Sequence, residues 1–170
     1  MALQICTYPD PVLSRTARSV DEITPELVQL AKEMSECMYL NQGIGLAAPQ
    51  VGESIRLIVV DVSGPEERTG LITLFNPVIA SYSGEVESDE GCLSLPNFNC
   101  TVNRAATVTV RGQDIDGNDV TIDAEGLLAI CLQHEIDHLE GTLLLNRVGR
   151  IKKSMYEKKV KKLDKKRQEA

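Results

Sequence analysis

The only two histidines of the chain, His134 and His138, stand four residues apart in Gln133-His134-Glu135-Ile136-Asp137-His138. On a helix, residues four apart lie one above the other on one face, so both imidazoles can offer a nitrogen to one divalent metal ion. Glu135 then lies beside that ion and not on it, where a carboxylate can move the proton of a metal-activated water. Leu127, Ile130, Cys131, His134 and His138 repeat at helical spacing. That pattern predicts a core-facing apolar stripe, on which an imidazole pair without a partner would be costly. Gly141 predicts the end of the helix three residues past the second histidine.

A catalytic site of this kind has three protein ligands and one open position, and with no further histidine the third must be a thiolate or a carboxylate. Cys92 is the better candidate. It sits in Glu90-Gly91-Cys92-Leu93-Ser94-Leu95-Pro96, where the glycine before it and the proline after it predict an irregular backbone that presents the side chain. A thiolate beside two imidazoles suits iron, zinc or cobalt. The rival is Glu157, nineteen residues after His138, near the spacing of the downstream glutamate of zinc endopeptidases. An exposed helical ion pair within Tyr156-Glu157-Lys158-Lys159 accounts for it equally well.

The elements that must hold these groups are legible in the hydrophobic pattern. Thr24-Pro25-Glu26 predicts a capped helix running to about Leu40, with Leu27, Leu30, Ala31, Met34, Cys37 and Met38 on one face. Gly43-Ile44-Gly45-Leu46-Ala47-Ala48-Pro49-Gln50 is a stretch of small residues that another backbone or a ligand can approach closely. Strands are expected at 55–62, at 71–79 with an interruption at Pro77, at 81–87, and at 106–111 paired through the Asp116-Gly117-Asn118 turn with 119–122. Residues 63–67 read as a loop. Several antiparallel strands and one inward-facing helix give an α+β fold: antiparallel or mixed sheets packed around a central helix carrying the two histidines, plus a C-terminal helix.

At 170 residues, 42% hydrophobic and 25% charged, the chain suits one domain. Residues 1–150 are expected to form the metal-dependent catalytic part, with 151–170 a basic helix of the same domain. Eleven Lys or Arg against three acids give the stretch from Arg147 onward a net +8, leaving −15 for residues 1–146. Such a stripe can meet an anionic surface, ribosomal RNA among them, whereas nothing suggests DNA binding. Ile151, Met155, Val160 and Leu163 are its sparse apolar anchors. Five cysteines without a CxxC argue for reduced thiols, with Cys6, Cys37 and Cys131 in packing positions. No apolar run approaches membrane-spanning length and the N-terminus lacks a targeting pattern, so a cytoplasmic protein is expected.

Taken together, Gly43-Ile44-Gly45-Leu46-Ala47-Ala48-Pro49-Gln50, Glu90-Gly91-Cys92-Leu93-Ser94 and Gln133-His134-Glu135-Ile136-Asp137-His138 resemble, in order and spacing, the three signature motifs of the bacterial peptide deformylases. The resemblance covers nearly the whole chain. It implies a hydrolase that removes the N-formyl group from the formylmethionine of new polypeptides and releases formate. It also implies one metal per chain held by Cys92, His134 and His138: Fe2+ in the cell, with Zn2+, Ni2+ or Co2+ able to substitute. A metal-bound hydroxide would attack the formyl carbon, and Glu135 would carry the proton to the departing amine. The Gln50 amide and the Leu93 backbone N–H would stabilise the oxyanion.

The same resemblance implies an extended peptide hydrogen-bonded at Ile44 and Gly45, and a methionine pocket formed by Ile44, Leu127, Ile130, Cys131 and the flank of His134. Glu90 is counted with the substrate-binding positions and, with Ser94, shapes the ligand loop. Two departures, Asn97-Phe98-Asn99 where many members carry a basic residue and Asn103 where proline is common, bear on peptide preference and loop shape. Two other functions make opposite predictions. An endopeptidase using Glu157 would need that residue and tolerate Cys92→Ser, and a non-catalytic RNA-binding protein with a structural metal would tolerate Glu135→Ala.

Overall fold

The computed structural model describes residues 2–169; Met1 and Ala170, the last residue of the expected tail helix, lie outside the described residues. After a single helical turn, Pro11–Ser14, capped by Asp10, helix α1 spans Pro25–Leu40. Its start is as expected: Thr24 Oγ1 accepts from Leu27 N at 3.3 Å, and Pro25 occupies the first turn, where its missing N–H costs nothing.

Strands β1 (Gly45–Ala47) and β2 (Leu57–Val60) follow, then a short helix α2 (Gly64–Glu67) within the expected loop. Strands β3 (Ile72–Ser83), β4 (Val86–Cys92), β5 (Leu95–Arg104), β6 (Thr107–Gln113) and β7 (Asp119–Glu125) come next. Helices α3 (Gly126–Leu139) and α4 (Arg150–Glu169) complete the chain.

Every named strand pair is antiparallel, in a five-stranded sheet of order β1-β2-β3-β6-β7 and a separate β4-β5 hairpin. Alternation along the strands sends Ile58, Val60, Leu74, Val108, Val110 and Ala124 to one face, where they pack on Ala129, Leu132, Ile136 and Leu139 of α3. Leu57, Val59 and Phe75 point the other way, onto Met34 and Met38 of α1. The helix that carries the histidines is therefore backed by the sheet, as the α+β expectation required. A third apolar cluster joins the β4-β5 hairpin to Leu143, Leu144, Leu145 and Tyr156.

Several expectations are corrected. The stretches 71–79 and 81–87 are not separate strands: β3 runs through Pro77, and its pairing with β6 slips between Phe75 and Val78. A bulge places a residue without an N–H where the ladder needs none, with Asn76 at φ 52° turning the chain. Strand β5 was not foreseen at all. On α4, Ile151, Met155 and Leu163 are exposed, and the anchors are Tyr156 with Val160. Tyr156 donates to Pro96 O at 3.0 Å and its ring lies 4.9 Å from that of Phe98. No helix among the described residues is long and apolar enough to cross a membrane.

Candidate metal centre

Three elements converge on one point. Cys92 ends β4, and His134 and His138 come from successive turns of α3; the metal-binding atoms of the three lie within 4.8 Å of one another. Cys92 is thus strand-borne and not in a loop as expected, but the register shift between Gly91 and Cys92 and the tight link to Leu95 still turn its side chain out of the ladder. Its Sγ stands 3.3 Å from His138 Nε2. Metal–sulfur bonds near 2.3 Å and metal–nitrogen bonds near 2.1 Å in a tetrahedral site require ligand separations of roughly 3.3–3.7 Å, which the Cys92–His138 pair meets.

The imidazoles are held differently. His134 Nδ1 is 2.9 Å from Glu90 Oε1, which leaves Nε2 for the metal and supplies the carboxylate that a ligating histidine commonly pairs with. Burial pulls the His134 pKa down, but hydrogen bonds to Cys92 and Glu90 outweigh it and the net direction is upward. His138, fully buried, is driven down by desolvation and by the charges of His134 and Arg104. A neutral imidazole is the form that binds metal.

Glu135 is packed between α3 and β1, only 5% exposed. Its Oε2, like His138 Nδ1, has no hydrogen-bond partner among the described residues. Desolvation pushes its pKa up from 4.5 to about 7, in spite of the nearby charges of His134 and Arg104. An unpaired, buried carboxylate of that strength has the character of a proton carrier at neutral pH.

Gln50 is held by the turn that follows β1. Its Oε1 accepts from Ala47 N at 3.0 Å, and its Nε2 lies 3.1 Å from Ser94 Oγ and 3.6 Å from Cys92 Sγ. Fixing the oxygen on the backbone points the amide N–H groups at Ser94 Oγ and Cys92 Sγ. Asp61 N donates to Ile44 O at 2.8 Å, and backbone groups alternate in direction along a strand. Gly45, next along the outermost strand of the sheet, therefore presents its own N–H and C=O to the open side.

That side is a cleft of about 520 Å3 lined by Ile44, Gly45, Leu93, Ile130, Cys131 and Leu127, with Glu90, Cys92, His134 and Glu135 at its head. Every sequence-expected residue reaches this region, though two stand differently from the expectation. Leu127 is 51% exposed at the mouth, so the stripe it begins opens onto the cleft, while Cys131 on the same stripe is buried and also belongs to the core cluster of Ala129, Leu132, Ile136 and Leu139. The Glu90 carboxylate is occupied away from the cleft, accepting from Arg104 Nη2 at 2.6 Å and Nε at 2.9 Å as well as from His134. Those bonds outweigh desolvation and hold its pKa down at about 2. Among the described residues Glu157 does not join the converging ligands.

Sequence reasoning assigned no role to Asp137, Gln133 or Arg104. Gln133 bonds Ala105 N and Ala105 O, at 2.8 and 2.9 Å, and so ties α3 to the β5-β6 link. Arg104 is only 4% exposed. The signal for it was its inward phase in an alternating segment, which assigns a buried charge and hence a paired one.

The sequence profile of the family described as polypeptide deformylase matches residues 2–154. A peptide deformylase of Syntrophobacter fumaroxidans is 51% identical over 160 residues, covering 94% of each chain, and one of Thermodesulfovibrio yellowstonii is 49% identical over 159 residues, covering 94% of this chain and 96% of that one. The crystal structure of a peptide deformylase from Legionella pneumophila superposes with a TM-score of 0.91 at 39% identity, over 100% of this chain and 99% of that one. One from Ehrlichia chaffeensis in complex with actinonin gives 0.87 at 40% identity, over 95% and 96%. With a cysteine sulfur and two imidazoles converging beside a buried glutamate, on a fold and a sequence shared along its length, the chain belongs to the polypeptide deformylase family.

Proposed function

We propose that the cleft removes the formyl group through the side chains gathered at its head, and that Cys92, His134 and His138 hold the metal. The chain is a metal-dependent hydrolase that deformylates new polypeptides. The observation that carries the assignment of roles is Glu135, buried against the ligand cluster with one oxygen unpartnered. When bound, a divalent metal supplies Lewis-acid polarisation and makes water reactive near neutral pH.

Glu135 takes the proton of the attacking water as its oxygen bonds to the formyl carbon. It returns that proton to the amine nitrogen as the C–N bond breaks, leaving formate and a free amino terminus. Gln50 Nε2 and the Leu93 backbone N–H donate to the oxygen that gains charge; removing one such donor costs about 3 kcal/mol of barrier. Gly45 pairs the extended peptide as an added strand, and Ile44, Leu127, Ile130 and Cys131 receive the methionine side chain. Glu90 acts by holding His134.

The mixed sulfur and nitrogen donor set suits iron, zinc or cobalt, and the likeness to the family implies Fe2+ in the cell, with Zn2+, Ni2+ or Co2+ able to replace it. A substrate that exists only during synthesis supports a cytoplasmic place of action. The cationic α4 supports a contact with ribosomal RNA, which salt-sensitive co-sedimentation with ribosomes would test. Residues 1–150 and the helix that follows work as one unit, joined by Tyr156.

The decisive experiment is formate release from a formyl-Met peptide by protein purified without oxygen and with its metal counted. Release that requires about one metal per chain, and competition by the actinonin seen in the Ehrlichia relative, are expected. A fully metallated protein that releases no formate would overturn the proposal.

A further inference from the structure

An unbroken chain of charged side chains leads from the surface to His134. Arg147 makes two bonds to Asp137, Nε to Oδ2 and Nη2 to Oδ1, both at 2.8 Å. Asp137 Oδ2 also accepts from Arg104 Nη1 at 2.7 Å. Arg104 then grips both oxygens of Glu90, and Glu90 Oε1 meets His134 Nδ1. Arg147 and Asp137, at the outer end, have side chains 37% and 21% exposed, whereas Arg104 and Glu90, further in, are buried at 2% and 7%.

The signs alternate, so two guanidinium groups balance two carboxylates. Take away Arg147 and two carboxylates compete for one buried cation. Asp137 has then lost two charge-assisted bonds and draws Arg104 toward itself, away from Glu90. Glu90 is the group that orients His134, and a slack partner leaves the ring free to turn. Asp137 also lies between the two histidines on α3, and its carbonyl accepts from Glu140 N and Thr142 N, at 3.0 and 2.9 Å, where the helix ends. Arg147 therefore braces the helix end as well as the charge chain.

We propose that Arg147, which touches neither the ligand atoms nor the cleft, is a positioning residue for the metal centre. Through Asp137 and Arg104 it holds Glu90 against His134 and so sets the direction in which the His134 ring offers its nitrogen. The inference rests on the reading of Cys92, His134 and His138 as metal ligands, and on no other part of the proposed mechanism.

The test uses the full chain loaded with Co2+, whose visible bands report the geometry and identity of its ligands. Arg147→Ala is expected to shift those bands and to lose Co2+ to a chelator about tenfold faster than the parent, within the range seen when partners of metal-bound histidines are removed. It should lower kcat for a formyl-Met peptide while leaving KM within about twofold. Arg147→Lys keeps the charge without the paired geometry and should recover only part of the loss. Combining Arg147→Ala with Asp137→Asn should do no more than the worse single change, because both cut the same chain.

Unchanged bands and an unchanged rate of Co2+ loss in Arg147→Ala would overturn the proposal, whatever happens to the melting temperature. Should that variant fail to fold, the same two readings on Arg147→Lys decide. A parent that binds Co2+ with thiolate and imidazole signatures yet releases no formate would instead sink the deformylase mechanism and leave this test readable.

Discussion

A Cβ placed on Gly45 would stand 2.6 Å from Glu135 Oε1 and 3.0 Å from its Cδ. The proposed proton carrier and the proposed peptide-binding strand are thus in contact through the absence of a side chain. Gly45 lies in a strand, where its freedom of φ is not needed, so the glycine is there for room.

Gly45→Ala must push the Glu135 carboxylate aside by several tenths of an ångström or displace β1. Displacements of this kind cost on the order of a hundredfold in rate. We expect kcat to fall by tens- to a hundredfold with metal content unchanged. Turnover within threefold of the parent, at equal metal loading, would show that the contact does not position Glu135.

Glu135→Ala removes the proposed proton carrier without touching a proposed ligand. Metal binding should be retained and formate release should fall by about 10²- to 10⁴-fold, the usual contribution of a positioned acid–base group. Metal analysis beside a formate assay reads both. Loss of the metal would instead make Glu135 part of the metal-holding set.

Burial of Glu135 also carries a stability cost whose sign follows from its pKa. The group prefers its proton in the folded chain, at about 7 against 4.5. It is neutral in both states at low pH; the cost grows as pH rises from 4.5, where the unfolded chain ionises, and is complete above about 7. The shift corresponds to about 3 kcal/mol. Metal-free Glu135→Gln should therefore gain on the metal-free parent as pH rises, the difference between their unfolding free energies widening by up to about 3 kcal/mol from pH 4.5 to above 7. Denaturant titrations at both ends check it, and a pH-independent difference would mean that the carboxylate is already solvated in the folded protein.

Cys92→Ser and Glu157→Gln separate two metal sites. Replacing a thiolate ligand should weaken metal binding by more than the ten- to hundredfold seen when only a partner of a ligand is lost. Glu157→Gln should leave affinity and turnover near the parent. Dialysis against a metal buffer followed by metal analysis decides, and the opposite pattern would favour the endopeptidase arrangement.

Arg104→Leu fits a buried volume but strands the Glu90 carboxylate. Glu90 is 8% exposed and its low pKa depends on Arg104. An uncompensated buried charge costs about 3–5 kcal/mol. The variant should lose that much stability, and Glu90→Gln on top of it should restore part, because the neutral amide needs no cation. A double variant no more stable than Arg104→Leu alone would argue against this account.

Much of the chemistry was legible before any fold. Two histidines four apart with a glutamate between them point to a candidate metal pair and a candidate proton carrier, because helical geometry is local and depends on spacing alone. Thr24-Pro25 located the start of α1 and Asp116-Gly117-Asn118 the β6-β7 hairpin for the same reason. Cys92 was named from the company it keeps in sequence, although it turned out to end a strand.

Other features belong to the tertiary structure. Strand β5 alternates inward Phe98, Cys100, Val102 and Arg104 with outward Asn97, Asn99, Thr101 and Asn103, but turn-forming asparagines hid the period until β4 paired with it. Pro77 breaks a strand in sequence, and only a neighbour willing to slip its register let β3 pass through it. That Leu127 faces the cleft, that Glu90 serves His134, and that Arg104, Asp137 and Arg147 complete one chain of charge could not be read in advance. Those contacts join residues from Glu90 to Arg147, and the energy of a buried charge depends on what the fold brings beside it, which local sequence does not encode.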